Sequence, residues 1–440
     1  MENSTLQFNS EMAIAVTILL LSYGLIFSER LHRTSAAILG AVSMIGVGMI
    51  MGFYSQEAAI QSIDANTLFL LAAMMMVVAM LRPTGLFEYT AIIISRLSKG
   101  SPRRLLILLS LAVSLISMVL DNVTTVIIFA PLTVLITRIL KLNPMPYLMA
   151  EAMLSNVGGI ATLVGDPPNI MIGSAANIDF TQFLIHMGPP IVVIWSGSVA
   201  LLLFSFRKLL PASVDHFSEQ HLNLDQAIQD RSTLTKMLIT LALIIGLFFI
   251  HHHLHLYPAY VAFLGLTLAL VLVRPKPEEL FGEVNWSVLI FFAGLFAIVG
   301  GVESSGFLDL LGHQLAAVSH DPNQLMMVGL ALIWVSAILS AIVDNIPFTV
   351  TMIPIIVGLE SSGVNITPLW WALALGVGLG GNGTHIGATA NLIAVAESEK
   401  SGVEGARITP LEWMKVGLPT MFTGLILASL LYTLFFDFFS

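Results

Sequence analysis

The stretch Gly158-Gly159-Ile160-Ala161-Thr162-Leu163-Val164-Gly165-Asp166-Pro167-Pro168-Asn169 places glycines, prolines, an acid and an amide inside an apolar segment running from about Tyr147 to Ile172. Lipid offers no water to satisfy broken backbone, so such a segment is tolerated in a membrane only where protein surrounds it or it lines a cavity. It is therefore expected to be a discontinuous transmembrane helix. A second polar interruption, Asp121-Asn122-Val123-Thr124-Thr125, lies about forty residues upstream in another apolar run.

The second half of the chain repeats both features. Asp344-Asn345 follows Asp121-Asn122 by 223 residues, and Thr384-x-x-Gly387-x-x-x-Asn391 follows Thr162-x-x-Gly165-x-x-x-Asn169 by 222. The apolar segment from Asp64 to Gly85 matches Asn285 to Gly306 at an offset of 221. Paired, interrupted helices at corresponding positions of two halves point to the binding site of a secondary transporter.

With 56% hydrophobic and 10% charged residues among 440, the composition lies outside the soluble globular range, and many windows reach the ~20 residues that span a bilayer. The chain reads as an all-α polytopic membrane protein. Its polar amino terminus, Met1 to Glu11, carries no basic residue and so lacks the start of a cleaved signal peptide. The absence of cysteine excludes disulfides, thiolate metal ligands and cysteine nucleophiles. The net charge of -9 argues against nucleic acid as a partner.

Spans are expected near 12–28, 34–53, 65–81, 147–172 and 184–206, then near 237–250, 257–273, 284–301, 367–396 and 411–435, with the fourth of each set broken. The apolar pairs 105–120/123–140 and 324–343/346–358 remain, and Phe87 to Leu97 reads as a short surface helix. Lys and Arg are retained on the cytoplasmic side. Arg103 and Arg104 precede the first pair, and Arg138 and Lys141 close it, so both ends lie on one side and the chain turns at Asp121-Asn122. That is a re-entrant hairpin, about 104–141, opening to the cytoplasm. The flanks of the second pair, Ser319 to Asn323 and Leu359 to Asn365, contain no Lys or Arg, so the hairpin at about 323–359 opens outward.

Each half then has about five crossings and one hairpin. An odd number of crossings inverts the second repeat, 237–440, relative to the first, 1–206, with a cytoplasmic linker at 207–236 that includes an amphipathic helix. All 18 basic residues fall on the cytoplasmic side and both termini outside, in the cell's inner membrane.

A carboxylate at the centre of a membrane helix costs about 2.5–3.5 kcal/mol, so Asp121 and Asp344 require a role. They bind a cation or carry a proton, or each caps the adjoining helix by accepting from free backbone N–H groups. Asn122, Asn345, Thr124, Thr125 and Thr349 add neutral oxygens and amide donors suited to hard cations or to hydroxylated and anionic substrates. At the breaks, half-helix ends present unpaired N–H and C=O groups. Gly159 and Gly165 allow close approach there, and Asn156, Thr162, Asn169, Asn382, Thr384 and Asn391 are candidate side-chain ligands. Asn169 and Asn391 are expected one turn into the restarted half-helices, where they meet substrate.

Asp166 has Ala388 at its repeat position, so it acts on one side of the pseudosymmetry. His385 either titrates within the second break or is hydrogen-bonded structurally. His251, His252, His253 and His255 lie on an outward loop, solvated rather than metal-bound, and Glu151 and Glu303 lie near span ends, where reaching the interface explains them. Gly-x-Ser-x-Gly, P-loop and His-Glu-x-x-His patterns are absent from the sequence, so the chain is not read as an enzyme. No cofactor is expected, and an ion gradient supplies the energy.

The stretches DNVTTVIIFAPLT from Asp121, GGIATLVGDPPN from Gly158, VDNIPFTVTMIP from Val343 and GGNGTHIGATAN from Gly380 resemble the ion transporter superfamily. That superfamily contains the arsenical pump membrane protein, the NhaD-type sodium/proton antiporters and the divalent-anion/sodium symporters. The likeness is strongest to the P protein permeases.

The resemblance implies an elevator transporter, usually a homodimer, whose transport domain carries two hairpins and two broken helices past a scaffold. It implies one ion site framed by Asn122, Thr124 and Gly159 to Asn169, and a mirror site framed by Asn345, Thr349 and Gly381 to Asn391. A peripheral ATPase partner follows if the likeness to arsenical pumps holds. The anion symporters carry Ser-Asn-Thr at the hairpin tips, and the acids here disfavour a dianion and favour proton coupling or cation transport. The function expected is proton-coupled efflux of arsenite, antimonite or a related small inorganic ion across the lipid bilayer. Sodium/proton antiport and sodium-coupled uptake of a dicarboxylate-like anion are the alternatives.

Overall fold

The computed structural model describes residues 8–28, 30–211, 213, 227–316, 322–342, 344–360 and 363–440, and these form helices with no strand among them. The first half contributes α1 (Ser10–Phe27), α2 (Arg33–Met51), α3 (Gln56–Gln61), α4 (Ala65–Leu81), α5 (Leu86–Leu97), α6 (Pro102–Ser117), α7 (Asn122–Ile139), α8 (Met145–Gly159), α9 (Pro167–Ala176) and α10 (Phe180–Ser205). The second half follows the same order. It contributes α11 (Arg231–Ile250), α12 (Pro258–Val273), α13 (Pro277–Gly282), α14 (Trp286–Ser304), α15 (Phe307–Ala316), α16 (Pro322–Ile342), α17 (Asn345–Glu360), α18 (Thr367–Gly380), α19 (Thr389–Lys400) and α20 (Pro410–Leu434), then a final turn, α21 (Phe436–Phe439).

Local chemistry sets many of these boundaries. Asp179 with Gln182, and Thr409 with Glu412, form reciprocal capping boxes that start α10 and α20, satisfying N–H groups that have no intrahelical partner. Asp230 caps α11 by accepting from the Thr233 amide, so this helix begins inside the segment expected as linker. The rest of the expected linker helix, at 212 and 214–226, lies outside the described residues, as does most of the 319–323 flank.

Two groups of helices pack among themselves. In the first, α2 runs along α14, α4 along α12, α1 against α2 and α11 against α12. In the second, α6 runs along α8, α16 along α18 and α10 against α20, while α7 lies on α19 and α17 on α9, so each tip helix meets the restarted half-helix of the other half. The amphipathic helices α5 and α15 connect the groups; α5 buries Phe87, Ala91 and Ile94 and sets Phe87 edge-on to Phe129 of α7. Close approach in the second group depends on glycine: a β-carbon on Gly158 would lie 2.6 Å from the Ser114 carbonyl oxygen, and one on Gly380 would lie 2.4 Å from that of Ala337. Small residues let helices approach closely where lipid gives no hydrophobic drive.

Eight of the described helices are long and apolar enough to cross a membrane. They include Asn122–Ile139 and Gln324–Ile342, which are arms of the expected hairpins. Length therefore does not separate an arm from a span, and the re-entrant expectation rests on the placement of basic residues.

Candidate functional site

Both helix breaks are present and are closed in the same way. In the first, α8 stops at Gly159 and α9 restarts at Pro167-Pro168, whose missing N–H groups would have had no helical partner in any case. The Asn169 side chain donates 2.9 Å bonds to the carbonyls of Gly159 and Thr162, while the Thr162 hydroxyl donates 2.5 Å to the Met118 carbonyl at the hairpin turn. In the second break Asn391 donates to Gly381 (2.7 Å) and Thr384 (2.9 Å), and Thr384 donates 2.5 Å to Ala341. Gly159 and Gly165 touch backbone to backbone, as do Gly381 and Gly387. The amides of Asn169 and Asn391, expected to face substrate, are thus spent on the carbonyls of the breaks, of which only that of Thr384 has a second donor among the described residues, the Gly387 amide.

The hairpin tips differ. Asp121 caps α7, accepting from the Thr124 amide at 2.8 Å and its hydroxyl at 2.6 Å. Asp344 instead accepts from Arg33 of α2 (Nη1 to Oδ2, 3.3 Å) and from the Thr389 hydroxyl at 3.3 Å, and Arg33 also donates 3.0 Å to Thr389. Thr125 and Thr349 donate to the carbonyls of Asp121 and Asn345 within their own helices.

A chain of amides crosses the centre. Asn122 donates 3.0 Å to Asn156, which donates to Asn382 at 2.9 Å and to Asn391 at 3.2 Å, while Trp413 anchors the Asn382 carbonyl. Asn345 donates 3.1 Å to Asp166, and Asp166 lies within electrostatic range of both Asp121 and Asp344. Three polar atoms there are buried without a partner among the described residues: Asn122 Oδ1, Asn382 Nδ2 and His385 Nδ1. Buried polar groups normally find partners, so these are atoms a bound ligand can satisfy. The hydrogen-bonded role considered for His385 has no counterpart at that nitrogen.

A cavity of about 320 Å³ adjoins this centre, lined by Asp121, Thr124, Pro167 and Thr389 together with Arg33, and its rim includes Arg82 and Glu283, which form an exposed pair at 3.7 Å. A second cavity of about 320 Å³, lined by His32, Arg33, Asp344, Ile386 and Thr389, lies on the other side of Arg33.

Sequence reasoning counted Arg33 only among the cytoplasmic basic residues; nothing local marks it, because its partner is 311 residues away. Glu151 also corrects the sequence reading. It does not reach an interface: it is fully buried on α8, bonded through one oxygen to Thr133, with the other oxygen unpartnered. The packing of α7 against α8 encloses it. His251 is likewise buried rather than solvated, joining the Leu256 carbonyl to the Phe180 amide. No group of His, Asp and Glu among the described residues is placed to hold a metal ion.

Comparison with known proteins agrees with this architecture. A family model described as "Citrate transporter" matches residues 23–376. A Mycobacterium tuberculosis protein described as an uncharacterized transporter is 39% identical over 409 residues, covering 91% of this chain and 93% of its own. The P protein of Sus scrofa is 32% identical over 492 residues, covering 94% of this chain and 58% of its own. The YdaH transporter of Alcanivorax borkumensis superposes with a TM-score of 0.60 over 98% of this chain and 99% of that one at 14% identity, a likeness of fold alone. The resemblance to the ion transporter superfamily and its P protein group is borne out. A multi-pass, all-helical chain with broken helices meeting at a polar centre, matched by this model over most of its length, belongs to the citrate transporter family CitMHS.

Proposed function

We propose that the protein is a secondary active transporter in which protons bind at the Asp121, Asp166 and Asp344 cluster and a small carboxylated anion such as citrate binds beside it. One observation carries this reading: carboxylates from both halves lie within electrostatic range of one another, one of them paired with a guanidinium that lines the adjoining cavity. Intramembrane charge is expensive and marks ion pathways. The tip acids alone weigh against an anionic cargo, but Arg33 supplies the offsetting charge, and the family's description points the same way.

The two halves act as inverted repeats, with the hairpins entering from opposite sides. The second helix group moves past the first as an elevator within a homodimer in the cytoplasmic membrane, with both termini outside. Matching hydrogen bonds at the two breaks and the distribution of basic residues support this arrangement. With the Arg82 face cytoplasmic, the cavity is open inward.

The test is uptake into proteoliposomes under an imposed pH gradient, with citrate, arsenite and Na⁺ tried in parallel. Citrate flux that follows the gradient is expected, lost in the Asp121→Asn/Asp344→Asn double variant. Flux of arsenite or Na⁺ alone would replace the cargo assignment with efflux or sodium/proton exchange. Full gradient-driven transport in the double variant would remove the acids as carriers.

A further inference from the structure

Arg33 is only half committed. Of its three nitrogens, Nη1 alone has partners among the described residues, and its contact with Asp344 is single and 3.3 Å long. A guanidinium can offer five donors in a planar fork that matches a carboxylate through two parallel bonds. Here that fork is unused, and the side chain stands between two cavities of about 320 Å³, a volume suited to a small ligand. The Phe291 ring, 5.6 Å from the guanidinium carbon, also supports it. The tertiary structure thus leaves open positions on the cation bonded to the Asp344 tip acid.

We propose that Arg33 is an anion-binding residue that exchanges partners: it neutralises Asp344 in the empty carrier and turns to a carboxylate of the cargo once Asp344 takes up a proton. The proton moves from solvent to an Asp344 oxygen, Arg33 keeps its charge, and the anion replaces the lost countercharge. Proton and anion therefore bind together, because either alone leaves an unpaired charge between the helix groups. The charged and titratable groups around Asp344 are Arg33 and His32 from the start of α2, and Asp166 from the first break. Asp121 lines the cavity on the far side of Arg33.

This inference rests on the carrier reading above and assigns it a residue. Its test is equilibrium binding of radiolabelled citrate to purified protein, comparing variants with wild type at one pH so that the probe's own titration cancels. Asp344→Asn imitates the protonated acid and should bind citrate about tenfold more tightly than wild type at pH 7.5. That advantage should shrink at pH 5.5. Arg33→Gln should bind about 30-fold more weakly or worse at both pH values. Arg33→Lys, which keeps the charge without the fork, should fall between and controls for folding.

Tighter binding by Asp344→Asn together with weaker binding by Arg33→Gln upholds the exchange. Wild-type affinity in Arg33→Gln, or no gain in Asp344→Asn, overturns it while leaving the carrier reading standing. No citrate binding or uptake by the wild type at any pH overturns both.

Discussion

The two hairpin tips occupy equivalent positions and are built differently. The residue three after Asp121 is Thr124, and the residue three after Asp344 is Pro347. Threonine donates an amide and a hydroxyl to Asp121, which thereby caps α7. Proline has neither donor, so Asp344 receives only a long 3.5 Å contact from the Ile346 amide and turns to Arg33 and Thr389. The second tip is also tied to the first helix group by Tyr23 of α1, which donates 2.9 Å to the Pro347 carbonyl. The Asp121 carboxylate is closed on its own helix, and the Asp344 carboxylate is docked onto other elements. The two carboxylates, each one residue before its helix, thus find different partners where the residue three further on is threonine or proline.

The breaks, by contrast, are alike, and the largest effects test that likeness. Asn169→Leu leaves the Gly159 and Thr162 carbonyls without a donor and Asn391→Leu leaves that of Gly381 without one, the Thr384 carbonyl keeping the Gly387 amide at 3.3 Å; each should destabilise the protein by about 1–4 kcal/mol. Thermal unfolding in detergent should show similar losses for both. A large loss at one break and none at the other would show that their matching geometry does different work.

The next effect concerns the caps. Thr124→Ala removes the hydroxyl partner of Asp121 and should cost about 1 kcal/mol, within the range for weakened helix caps. Pro347→Thr should stabilise α17 by a similar amount and draw Asp344 away from Arg33. If unfolding midpoints move together in both variants, or not at all, the difference between the tips does not come from this position.

A smaller effect is expected at Glu151, whose repeat position is Leu373. Because the acid is buried with one unpartnered oxygen, Glu151→Leu should be neutral or stabilising by about 1 kcal/mol, as when buried charge gives way to packing. Loss of transport with stability intact would instead assign Glu151 a functional role.

The smallest effect lies at the two helix starts, where Asn9 caps α1 and Asp230 caps α11. The Thr233 hydroxyl and amide hold the Asp230 carboxyl below its ordinary value of 3.8. Because folding lowers that pKa, the cap is fully effective above the unfolded value and is lost as pH falls through the folded one. Hydrogen exchange, corrected for intrinsic rates, should therefore show the first turn of α11 loosening below about pH 4 while that of α1 does not.

Much of the centre was legible from the chain alone. Glycine, proline and paired polar residues inside apolar runs are local signals, and their repetition located both breaks and both tips. The cap at Asp121 was legible because capping joins residues three apart, whereas the caps at Asp179 and Asp230 start α10 and α11 earlier than hydrophobicity alone suggests. Three things required the folded molecule: the Arg33–Asp344 pair, the enclosure of Glu151, and the bonding of Asn169 and Asn391 to the carbonyls of the breaks. Each depends on which surfaces meet when the two helix groups pack, and that choice is made by contacts between residues far apart in sequence. Sequence by itself determined where the backbone must break and which polar atoms enter the membrane. Only the tertiary structure decided how those atoms are paired, because charge and hydrogen-bond partners are selected by distance in space.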